Sequence, residues 1–108
     1  MTNDPVVALG LRPRVIDAVC SVYDPEIPVN IWELGLIYGI DVDSERRVHV
    51  RMTLTAPGCP SAQALPLEVE RRVRGVDGVT DAFVEVVWEP AWSPELMSDA
   101  ARLQLGML

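Results

Sequence analysis

The chain has 108 residues, 49% of them hydrophobic and 23% charged, the size and mix of one soluble domain that builds its own core. Nine Lys+Arg against 16 Asp+Glu leave a formal charge of -7, which argues against nucleic acid or an anionic membrane as the primary partner. Two cysteines, Cys20 and Cys59, and no apolar run near the roughly 18–20 residues of a bilayer span argue against a disulfide scaffold and a membrane-spanning chain. No basic region followed by a long apolar stretch opens the sequence, so a cytoplasmic setting with reduced thiols is expected.

Residues 1–12, with Pro5 and Gly10, read as a flexible arm, and residues 13–108 as a single domain. Pro13 suits a first helical position, and Val15, Ile16, Val19 and Cys20 then share one helical face. Pro25 disfavours helical geometry at Asp24, so this helix stops by Tyr23, and Asp24-Pro25-Glu26-Ile27-Pro28 is a loop stiffened by two prolines. A strand follows from Leu36, with Leu36, Tyr38, Ile40 and Val42 on one side and Gly39 as a bulge. Asp43 to Arg46 is a polar turn. The next strand alternates Val48, Val50, Met52 and Leu54 against His49, Arg51, Thr53 and Thr55, which completes a hairpin.

Ala56-Pro57-Gly58-Cys59-Pro60 breaks that strand, and a second helix is expected from near Ser61, its apolar stripe running through Ala62, Leu65, Val69, Val73 and Val76. Pro66 lies inside the stripe and predicts a kink near the helix start. Val79 to Trp88 reads as a third strand, and Ser93-Pro94-Glu95 as the start of a last helix carrying Leu96, Met97, Ala100 and Leu103. The second-to-third strand connection is long enough for a right-handed parallel crossover. The expected fold is α+β in two layers, in the order α-β-β-α-β-α, with a small mixed sheet covered by helices.

Cys59 is the sharpest chemical feature. If the second helix begins beside it, unpaired N–H groups and the helix dipole would favour the thiolate and raise both nucleophilicity and affinity for soft metals. The alternative is a cysteine that packs a turn. Thr53 and Thr55 point to the same end of the hairpin; on a solvated face they are ordinary β-formers, and they gain meaning if that face is covered. Asp24 and Glu26 flank a proline and suit either acid–base work, a hard cation or a plain turn. Cys20 lies on an apolar stripe, and the single His49 has no second ligand near it in sequence. There is no CxxC, no phosphate-cradling glycine motif and no GxSxG.

Three blocks, DPEIPVNIWELGLIYGIDVD, TLTAPGCP and VWEPAWSPELMSDAARLQLG, together resemble the SufT-like iron–sulfur cluster assembly accessory proteins. Related domains stand at the front of some Mrp-type ATPases and in the phenylacetate-degradation protein PaaD. The resemblance runs from about Arg14 to the C-terminus and implies a small α/β domain that helps deliver or mature clusters on client apoproteins, together with iron–sulfur assembly proteins as partners. It implies that Cys59 is the reactive cysteine, with Asp24, Glu26, Thr53 and Thr55 lining its pocket. The PaaD branch carries later cysteines that this chain lacks, and the second cysteine of NifU-type scaffolds is Ala62 here.

A cluster takes about four protein ligands, mostly thiolates. Cys59 supplies one, so no cofactor is expected to be stably bound. A transient cluster or iron would be shared with a partner, a small thiol or a second copy in a homodimer. A non-catalytic adaptor is the competing reading, with Cys59 structural and Trp88, Trp92 and Met97 forming a partner contact; a PaaD-like subunit of a phenylacetyl-CoA oxygenase system is another. A thiol enzyme is disfavoured because His49 is remote along the strand from Thr55.

Overall fold

The computed structural model describes residues 5–24, 27–55 and 64–106, with side chains from Gly10 onward. Helix α1 spans Pro5–Cys20, strands β1 Ile37–Val42 and β2 Arg47–Met52 form a hairpin, α2 spans Leu65–Arg74, β3 spans Asp81–Val86, and α3 spans Asp99–Gln104. The order is α-β-β-α-β-α, as expected. The sheet runs β1-β2-β3, antiparallel between the first pair and parallel between the second. A parallel pair needs a crossover, and α2 supplies it.

The alternation in β2 decides the layering. Val48, Val50 and Met52 are buried toward α1 and α2, where they meet Val15, Val19, Val69 and Val73. Arg47 and Arg51 face out, with His49 half-buried between them. The register of β1 on β2 shifts between Ile37 and Gly39, so the bulge sits at the expected glycine. Arg46 closes the hairpin turn at φ 64°, and Asp43 steadies that turn by accepting the N–H groups of Glu45 and Arg47, each at 2.9 Å.

Four expectations need correction. The arm expected over residues 1–12 is helical from Pro5, and Pro13 lies inside α1 and not at its start. Burial of Leu11 together with Val15 and Val19 explains this: the packed face extends past the proline and offsets its missing hydrogen bond. Pro66 makes no interior kink, because α2 begins at Leu65 and a first-turn proline has no helical N–H to lose. The last helix is divided. Pro94–Leu96 is a single 3-10 turn whose Ser93 makes no side-chain cap, and α3 starts after Ser98, whose hydroxyl accepts Ala101 N–H at 3.1 Å. The third strand is shorter than Val79 to Trp88. After Val86 the chain leaves the sheet and lies against the end of β2, with Val87 N–H still held by the Met52 carbonyl at 2.8 Å.

Candidate functional site

Beyond Met52 the outward face of β2 is no longer wet. Thr53, two positions past Arg51 on the same side, is 1% exposed because the segment carrying Trp88, Ala91 and Trp92 closes over it. These residues, with Leu54 and Thr55, line a cavity of about 440 Å³. The Trp92 indole N–H donates to the Leu34 carbonyl at 2.7 Å, which fixes that wall against the loop before β1. Ser98 fastens the same loop twice more: its N–H donates to the Glu33 carbonyl at 2.9 Å and its hydroxyl donates to Glu33 Oε1 at 2.6 Å.

The Thr53 backbone N–H is satisfied by the Leu36 carbonyl at 2.8 Å, but its hydroxyl has no hydrogen-bond partner among the described residues. An unsatisfied buried hydroxyl is costly and normally absent from a folded core. Thr53 is one of the residues that line the cavity, while its Oγ1 has almost no exposed surface, so a bond from it to an entering group requires the wall to shift.

Thr53, Thr55, Trp88 and Trp92 are thus brought together. Asp24, four residues past α1, is 7% exposed, and its Oδ1 accepts the Ile27 N–H at 3.2 Å, which holds the start of the proline loop. Glu26 and Cys59 lie outside the described residues. The described part of helix α2 spans Leu65–Arg74 with Ala64 as its N-cap, and the expected start near Ser61 lies outside the described residues. Of the expected contact residues, Trp88 is 46% exposed, Trp92 is half-buried, and Met97 is packed in the core, which leaves neighbouring Leu96 at the surface instead.

Cys20, the other thiol, is free and half-buried on α1. Burial raises its pKa, and the nearby Glu33 and Asp17 carboxylates raise it further, so it stays protonated. Among the described residues no group of three or more His, Cys, Asp or Glu side chains could hold a metal ion. The signals that sequence reading passed over are the Leu34 carbonyl, for which the only cue was that a buried indole needs an acceptor, and the closure of the chain over Thr53.

Residues 12–86 match the model of the family described as "Iron-sulfur cluster assembly protein". A Porphyromonas gingivalis protein named "Fe-S protein maturation auxiliary factor" is 45% identical over 100 residues, covering 93% of this chain and 95% of its own. A Bacillus subtilis relative, "Fe-S protein maturation auxiliary factor YitW", is 38% identical over 98 residues, covering 91% and 96%. Among solved structures, a Bacillus anthracis domain of unknown function, DUF59, superposes with a TM-score of 0.88 at 32% identity, covering 97% of this chain and all of that one. The chain belongs to the iron–sulfur cluster assembly protein family.

Proposed function

We propose that this protein is a non-catalytic accessory factor in iron–sulfur cluster assembly, and that Cys59 with the Thr53–Thr55 pocket is where it handles its cargo. The observation that carries this reading is the Thr53 hydroxyl, buried and unpartnered among the described residues, in a residue that lines a cavity of about 440 Å³. A hydroxyl donor suits a sulfide or thiolate acceptor, and the two tryptophan walls limit water around it. Only three residues separate Thr55 from Cys59 in sequence, so the thiol and the hydroxyls belong to one stretch of chain. The names of the relatives support the same assignment.

A cluster needs about four ligands, and Cys59 supplies one thiolate. The remaining ligands come from a client, another assembly protein, a small thiol or a second copy of the chain. Incomplete ligation suits a factor that must release what it holds. Asp24, buried beside the proline loop, and Glu26, two residues on, would set the protonation of the thiol or hold iron.

The test is complementation. Cells lacking this protein are supplied with wild type, Cys59→Ser or Thr53→Val, and the activity of iron–sulfur enzymes is measured. The reading expects Cys59→Ser to fail although the protein accumulates normally, and Thr53→Val to be impaired. Full rescue by Cys59→Ser would overturn it in favour of the adaptor reading, which the exposed Trp88 and Leu96 favour.

A further inference from the structure

Arg51 stands two positions before Thr53 on the same side of the chain, lines a different cavity, and is used by none of the interactions that hold the fold. Arg47, Arg71, Arg72 and Arg74 pair with carboxylates, and Arg12 and Arg102 donate to backbone carbonyls, whereas Arg14 and Arg46, like Arg51, have no side-chain hydrogen bond or ion pair among the described residues. The Arg51 guanidinium makes no hydrogen bond or ion pair among the described residues, in a chain where carboxylates outnumber bases. It also lines a cleft of about 500 Å³.

The cleft is built around it. At the β1 bulge, a Cβ on Gly39 would collide with the Arg51 guanidinium, so glycine at position 39 leaves room for that side chain to lie across β1 in this arrangement. The Tyr38 hydroxyl donates to the Pro90 carbonyl at 2.8 Å and ties the chain after β3 to the bulge. On the opposite rim Gly35, at φ 79°, lets the Leu96 backbone approach so closely that no side chain would fit between them. Leu96 remains 43% exposed, and Ile37 and Val87 add apolar wall. Glu89 also lines the cleft.

We infer that this cleft binds a small organic monocarboxylate with an apolar body. Arg51 offers a planar fork of donors that matches one carboxylate, and the apolar walls take the rest of the ligand. Glu89 lines the same cleft and opposes negative charge, so a dianion such as phosphate is disfavoured more than a monocarboxylate. The site is independent of the iron–sulfur reading and stands or falls without it.

The experiment is chemical-shift mapping on the full chain with three probes: N-acetyl-L-leucine, L-leucinamide and inorganic phosphate. N-acetyl-L-leucine is expected to shift Tyr38, Gly39 and Leu96 saturably in the millimolar range, while leucinamide, which lacks the carboxylate, and phosphate leave them in place. Arg51→Gln should weaken binding about tenfold or more, the loss of one charge-assisted hydrogen-bonding group. Gly39→Ala is the second variant, since the added methyl displaces only the flexible tip of Arg51; it should lose binding with the rest of the spectrum intact. No saturable shift, equal shifts from leucinamide or phosphate, or unchanged affinity in Arg51→Gln would each overturn the assignment.

Discussion

Replacing Thr53 with valine tests whether its hydroxyl is held for a ligand or for the fold. Valine keeps the β-branched shape and the strand geometry, and the backbone bond from Thr53 N–H to Leu36 is untouched. What disappears is one hydroxyl that is 1% exposed with no partner among the described residues. A buried polar group left unsatisfied costs about 1–3 kcal/mol, so its removal should leave the free protein more stable by about 1 kcal/mol. For a domain of this size that raises the melting temperature by about 4 °C. Thr53→Ser keeps the hydroxyl and loses a buried methyl, and should be destabilised by about 1 kcal/mol. Thermal and urea unfolding of the three proteins provide the measurement. If Thr53→Val instead loses 1 kcal/mol or more, the hydroxyl is bonded within the folded chain and the idea of a donor reserved for cargo is wrong. Higher stability paired with weaker complementation is the signature of a site kept at the expense of the fold.

Three further outcomes are expected. Gly35→Ala should cost more than about 2 kcal/mol in urea unfolding, because a left-handed backbone and a collision with the Leu96 main chain act together. Ser98→Ala should cost about 1 kcal/mol or more, since it removes both the α3 cap and the bond to Glu33. In a Cys59→Ala background, Cys20 should alkylate more slowly than a free thiol at pH 8, because burial, Glu33 and Asp17 keep it protonated. The sign for stability follows from that raised pKa: the folded state holds the Cys20 proton longer than the unfolded state. Its contribution is therefore complete below the ordinary thiol pKa and is lost as pH rises through the folded value. A Cys20→Ala variant should show a weaker loss of stability above pH 8.

The hairpin and crossover were readable because their signals are local. Alternation along Val48, Val50 and Met52 admits one inward face, and a glycine inside the first strand pattern marks the bulge. Prolines misled where two local rules compete. Pro13 satisfies the rule for a helix start, yet burial of Leu11 carries the helix back past it to Pro5. Ser93-Pro94 and Ser98 are both plausible caps, and only the docking of Ser98 on Glu33 decides between them. For the candidate site, the threonines were visible as residue types on one strand face. That Thr53 is sealed depends on a segment more than 30 positions later folding back over it, which no period in the sequence encodes. The Arg51 cleft is likewise tertiary, since it needs Gly39, Tyr38 and Pro90 at one place.

The central claim concerns a single thiol and its cargo. Anaerobic reconstitution of the purified chain with ferrous iron and sulfide, followed by desalting in the presence of a small thiol and assay of iron and acid-labile sulfide, tests it most directly. The account predicts iron and sulfide in near-equal amounts, labile to chelator, in the wild-type protein and in Cys20→Ala, and neither in Cys59→Ala. Equal loading of wild type and Cys59→Ala, or none in either, would contradict it.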